Sequence, residues 1–185
     1  VTLPTITTTT TTEATIAVGT IDTNGYTILG PHTIEDFDGA APTLPFDYYG
    51  KPDAQWRLDD TVSYSGTHSI TNIPNDGINT KSDVSLKINV QQSSIVKCQA
   101  KIDVSLPYEY FTLIVNGQQR NTYTQKLNGW VPVVTSVLAG GNTIVFRVQN
   151  HHTEVADGMM GERLEDHYGS GRVWIDDCEV YIMYD

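Results

Sequence analysis

Apolar and polar residues alternate with a period of two through most of this chain, and the period of an amphipathic helix is almost absent. In Ile95-Val96-Lys97-Cys98-Gln99-Ala100-Lys101-Ile102, alternation puts Val96, Cys98, Ala100 and Ile102 on one face of a strand. The same pattern predicts strands near residues 55–60, 68–73, 83–90, 95–105, 110–116, 120–126, 131–137, 142–150 and 172–184. Turn residues separate them, including Asn116-Gly117 and Gly140-Gly141-Asn142. Short strands at this spacing predict an all-β chain folded as a sandwich or barrel. Val96, Ile102, Val104, Leu113, Val115, Ile144, Phe146 and Val148 are the expected inward residues.

The N-terminal segment follows a different pattern. Thr7 to Thr12 is an unbroken threonine run, and Ala14, Ile16 and Val18 alternate behind it. Thr20 to Thr23, Asn24-Gly25 and Tyr26 to Leu29 read as a hairpin, because Asn-Gly supplies the positive φ angles of a tight turn. Gly30-Pro31 then breaks the chain. Residues 1–30 are therefore expected to form an arm and hairpin, and residues 31–185 the sandwich domain. A β-branched strand without an evident partner in its own chain has the composition of an exchanged strand, with Ile6, Ala14, Ile16 and Val18 as its anchors. A linker, or a segment folded back on its own domain, is the alternative. Residues 40–55 form a loop, and 151–171 lack a strand pattern, with a short helix expected at Met159 to Tyr168.

The chain has 185 residues and a net charge of −11, which disfavours nucleic acid and other polyanions. No run of eighteen apolar residues exists to span a membrane. Abundant threonine, asparagine, tyrosine and glycine with little lysine suit a secreted β-protein, and the start at Val1 reads as a processed product. Cys98 and Cys178 both face inward on predicted strands and are expected to form a disulfide, with two buried thiols as the alternative.

Several phrases occur in a set order: Phe37-Asp38-Gly39, Trp56, Ser63-Tyr64-Ser65-Gly66-Thr67-His68-Ser69-Ile70, Val115-Asn116-Gly117, Gly129-Trp130, Leu138-Ala139-Gly140-Gly141-Asn142-Thr143-Ile144 and Trp174-Ile175-Asp176-Asp177. Over residues 34–184 they resemble the β-jelly-roll modules of the carbohydrate-binding and concanavalin-like type, which are appended to secreted bacterial enzymes, adhesins and phage fibres. The resemblance implies a two-sheet antiparallel jelly-roll β-sandwich. It also implies a structural calcium ion between the sheets, held by Asp38 and Asp176 with Glu35, Asp36 and Asp177 close in sequence.

Other candidate chemistry is sparse. His151, His152, Glu154, Asp157, Glu162, Glu165, Asp166 and His167 crowd one loop without the spacing of a zinc motif. Trp130 and Trp174 lie in strand contexts and are expected in the core, whereas Tyr48 and Tyr49 lie in a loop and are candidate ligand contacts. Ser170 lacks a nucleophile elbow, no phosphate-cradling loop is present, and no enzymatic activity is expected. The reading is a secreted structural subunit that self-assembles into an extracellular filament, appendage or virion fibre by donating its N-terminal strand. The alternative is a carbohydrate- or surface-binding module of a larger secreted protein.

Overall fold

The computed structural model of the protein describes residues 22, 24–30, 32–74, 80–104, 109–150 and 171–183. Eleven strands run through these residues: β1 (Thr27–Ile28), β2 (His32–Glu35), β3 (Trp56–Asp59), β4 (Ser69–Asn72), β5 (Lys81–Val90), β6 (Ser94–Asp103), β7 (Glu109–Val115), β8 (Gln118–Tyr123), β9 (Trp130–Val137), β10 (Gly140–Asn150) and β11 (Arg172–Ile182). One sheet has the order β1-β5-β10-β7-β8 and the other β3-β4-β11-β6-β9, with β2 also pairing β11. The two sheets form a sandwich of jelly-roll type, antiparallel throughout except for β1, which joins β5 in parallel.

Period-two burial in β5, β6 and β10 builds the core, as the alternation predicts. Val96, Ile102, Val104, Leu113, Val115, Ile144, Phe146 and Val148 are all buried. At the centre, Phe146 packs against Phe46 and Phe111, with ring centroids 5.9 and 6.4 Å away. Asn24-Gly25 does form a turn, closed by the Asp22 amide on the Tyr26 carbonyl at 2.8 Å. The strand after it runs along Ile88 and Asn89 of β5. The arm residues Ile6, Ala14, Ile16 and Val18 and the histidine-rich stretch 151–167 lie outside the described residues.

Cys98 and Cys178 are joined by a disulfide between neighbouring strands. The pairing of β6 with β11 shifts between Asp176 and Glu179, so Cys98 faces a bulge. Asp177 takes the bulge's unusual backbone, with φ of 42°.

Candidate functional site

The outer face of the β3-β4-β11-β6-β9 sheet carries a row of side chains in register. Arg57 pairs with Thr71, Thr71 with Trp174, Trp174 with Lys101, and Lys101 with Trp130. Alternation sets this face, because Val173, Ile175, Ala100 and Ile102 point the other way into the core. The expectation that Trp130 and Trp174 pack in the core is therefore corrected. Trp174 lies under its neighbours at 9 % exposure, but outside the sandwich interior. The Lys101 ammonium sits 5.4 Å from the Trp174 ring centroid. On the other side, the indole Nε1 donates to Asp59 Oδ2 at 2.8 Å. Burial alone would raise the Asp59 pKa, but donors from Thr61 and the indole, together with the charge of Arg172, hold it below the usual carboxylate value.

Tyr64 completes the surface. Its ring meets Trp130 edge-on at 5.8 Å and is 50 % exposed. Loop 60–68 places it there, fastened by two carboxylates. Asp176 Oδ2 accepts from the amides of Tyr64 and Ser65 at 2.7 and 3.2 Å. Asp38 Oδ1 accepts from the amides of Thr67 and His68, both at 2.9 Å. Ser65 Oγ adds a bond to Asp177 Oδ1 at 2.7 Å. Gly66, at φ 57°, lets the loop pass so close to Asp38 that a Cβ there would overlap the carboxylate.

Asp38 and Asp176 thus meet one loop, at different ends, and the groups facing them are mainly amide N–H donors, joined at Asp38 by the Thr67 hydroxyl at 3.0 Å. Asp176 Oδ1 likewise accepts from the Asp177 amide at 2.7 Å. Calcium requires a shell of oxygens, and these carboxylate oxygens are engaged with donors that a cation would repel. Among the described residues no group of three acidic, histidine or cysteine side chains converges to hold a metal. The arrangement does not fit a calcium site; the two carboxylates act here as loop fasteners.

Burial pushes the Asp176 carboxyl up to about 6, against the opposing pull of the Tyr64, Asp177 and Ser65 amides, and the charge of Asp177 adds to the rise. Burial also raises Glu35, whose carboxylate accepts from the Phe37 and Leu44 amides. A raised folded-state pKa means the folded chain binds the proton more tightly than the unfolded chain. Ionised Asp176 therefore costs stability at neutral pH, and that cost is relieved as pH falls through about 6. Asp38, lowered mainly by the Thr67 amide, works in the opposite sense, and its contribution is lost below its ordinary value of 3.8. The melting temperature is expected to rise from pH 7 to pH ~5 and fall below pH ~3.8. In Asp176→Asn the rise should be blunted, as thermal melts across the series will read; a rise of undiminished size would remove Asp176 as its source.

Tyr48 and Tyr49 meet edge-on, with ring centroids 6.5 Å apart, but differ in exposure. Tyr48 is 8 % exposed and packs beside Phe37, with centroids 6.4 Å apart. Tyr49 is 53 % exposed, and its hydroxyl donates to the Ala40 carbonyl at 3.2 Å. Only Tyr49 of this pair offers an open ring. The platform residues Tyr64, Trp130 and Trp174 come together through strand register and loop closure, which no sequence motif spelled out.

No protein-family model matches the chain, and no curated protein matches it. Solved structures do. A xylan-binding domain is 14 % identical, with 80 % of this chain and 92 % of that one covered, at a TM-score of 0.47. The K2 cleaved adhesin domain of Lys-gingipain is 12 % identical, covering 82 % and 98 %, at 0.47. A family 35 carbohydrate-binding module from Clostridium thermocellum is 13 % identical, covering 83 % and 100 %, at 0.42. These are similarities at low identity; the all-β jelly-roll sandwich of this chain rests on its own strand order and pairing.

Proposed function

We propose that the chain is a secreted, non-catalytic module that binds a neutral polysaccharide through the outer face of the β3–β9 sheet. The observation that carries this reading is the Tyr64–Trp130 pair beside the row Lys101, Trp174, Thr71 and Arg57. Aromatic faces supply apolar contact to sugar rings, and the flanking Lys101 and Arg57 side chains supply hydrogen bonds to hydroxyls. Five paired strands give the row from Arg57 to Trp130 a length of roughly 19 Å, at about 4.8 Å per strand, which suits an extended chain. The net charge of −11 favours a neutral polymer over an acidic one.

Affinity electrophoresis against a panel of neutral plant and microbial polysaccharides tests the reading. At least one polymer should retard the protein. The double variant Tyr64→Ala/Trp130→Ala should lose that retardation while keeping its circular dichroism spectrum. The reading fails if no polymer in the panel retards the protein, or if the double variant is retarded as before.

Strand donation is the second reading. It rests on β8 and β9, the outermost strands on one side of the two sheets, which have no further neighbour among the described residues. Each offers a row of main-chain groups to an added strand. Deleting residues 1–18 separates the two readings. The module keeps its polysaccharide binding after that deletion, whereas an assembling subunit loses filaments visible by electron microscopy.

A further inference from the structure

Asn-Gly occurs three times in the chain, at 24–25, 116–117 and 128–129. In such a pair the glycine amide nitrogen can reach the asparagine Cγ, because glycine has no Cβ to hinder the approach and its backbone turns freely. Reaction needs the asparagine side chain released from its hydrogen bonds and the glycine N–H unengaged. The sequence makes the three pairs alike, and the fold makes them different.

Asn116 is locked. It sits in the turn between β7 and β8 at φ of 51°. Its Oδ1 accepts from the Thr143 amide at 2.8 Å, and its Nδ2 donates to Asn142 Oδ1 at 3.0 Å. Asn142 is buried and donates in turn to the Leu138 and Gly140 carbonyls at 2.8 and 2.9 Å, which braces the lock. Asn24 is partly held. It is exposed, but its amide donates to Asp22 Oδ1 at 2.9 Å. The Gly25 N–H, whose nitrogen would have to attack, donates to the Asp22 carbonyl at 3.1 Å.

Asn128 has no such restraint. It lies in the connection between β8 and β9, which is fastened just before it. The Leu127 amide donates to the Ile102 carbonyl at 3.0 Å, and Lys126 Nζ to Asp103 Oδ2 at 2.8 Å. Beyond that anchor, Asn128 and Gly129 are both exposed. Neither the Asn128 side chain nor the Gly129 N–H has a hydrogen-bond partner among the described residues. Gly129 has φ of 77°, and a Cβ there would meet no atom within 4 Å, so the space for ring closure is open.

We propose that Asn128 is a site of spontaneous deamidation, and that its conversion ages the face presented by Trp130. The Gly129 nitrogen bonds to Asn128 Cγ, the Cγ–Nδ2 bond breaks, and the side-chain nitrogen leaves as ammonia with the Gly129 proton. Water then opens the cyclic imide at one of its two carbonyls. Opening at Cγ gives aspartate in an ordinary main chain. Opening at the main-chain carbonyl gives isoaspartate, whose main chain is longer by one methylene. Either product carries a new negative charge two residues before Trp130. The isoaspartate also shifts the start of β9, which sets Trp130 against Tyr64 at 5.8 Å. The loss of binding rests on the sheet-face reading; the modification itself does not.

Peptide mapping by mass spectrometry is the test, on the full chain held in mildly alkaline buffer and sampled over weeks. Asn128 should convert at least about tenfold faster than Asn116, which must first give up two hydrogen bonds. Asn24 should fall between them. In urea, where the fold no longer distinguishes the three, they should convert at similar rates. Equal rates at Asn128 and Asn116 in the folded protein, or the same order kept in urea, would overturn the proposal. For the consequence, retardation by a polysaccharide that the fresh protein binds should fall as Asn128 converts and stay constant in Asn128→Gln. Undiminished retardation of fully converted protein would remove that consequence. If no polymer retards even the fresh protein, the sheet-face reading fails while the mapping still decides the modification.

Discussion

Replacing Cys98 and Cys178 together by alanine is expected to destabilise the fold by roughly 2–5 kcal/mol. The bond closes a loop with a sequence separation of 80, so the cross-link removes many conformations from the unfolded chain. The position strengthens the expectation. The bond joins β6 and β11, the two central neighbours of their sheet, at the bulge where their regular pairing is interrupted. Both cysteines are buried, so alanine also leaves small voids beside Ala100 and Val180. Urea unfolding of the oxidised protein and of the double variant gives the comparison. Equal midpoints, or two free thiols in the mass spectrum of the unreduced protein, would show that the bond carries none of this stability.

Phe146→Ala is expected to cost about 3–5 kcal/mol, the range for removing a buried aromatic ring. Phe146 lies mid-strand in β10, opposite Val84 on one side and Leu113 on the other. Its ring is stacked near Phe111 and tilted toward Phe46, which arrives from the loop before β3. Truncation therefore opens a cavity bounded by strands that cannot easily close over it. Tyr64→Ala is the control: it removes a half-exposed ring from the surface and should change the denaturation midpoint little. If the two substitutions cost the same, the packing described for the core is wrong.

The sandwich was legible because its long strands keep strict alternation. β5, β6 and β10 show it over ten or eleven residues, and their predicted positions fall within a few residues of the observed ones. β2 was not legible, because its pattern is inverted. Ile34 is exposed while Glu35 is buried, its carboxylate satisfied by the Phe37 and Leu44 amides. The misplacement of Trp174 has a related cause. Val173-Trp174-Ile175 is a continuous apolar run, and alternation alone does not say which member faces out. That depends on the cross-strand neighbours Thr71 and Lys101, which are set by register between distant segments. The carboxylates at 38 and 176 were expected as calcium ligands, not as anchors of the 60–68 loop. Their partners, the loop amides, were not legible, since main-chain donors leave no trace in composition.

The antiparallel pairing of β2 with β11 sets the response of this module to a pull on its two ends. His32 lies opposite Tyr181, and Glu35 opposite Cys178, so the start of β2 and the end of β11 lie side by side. Tension drawn between them acts across the hydrogen bonds of this pair and opens them one after another, like a zipper. A shear geometry would load all of them at once. Unravelling inward along β11 then reaches Cys178, where the covalent link to Cys98 takes the load. The span between the two cysteines, which contains β7 to β10, is shielded from further extension. A pull of this kind can draw out only the chain before Cys98 and after Cys178, and leaves the segment between them closed.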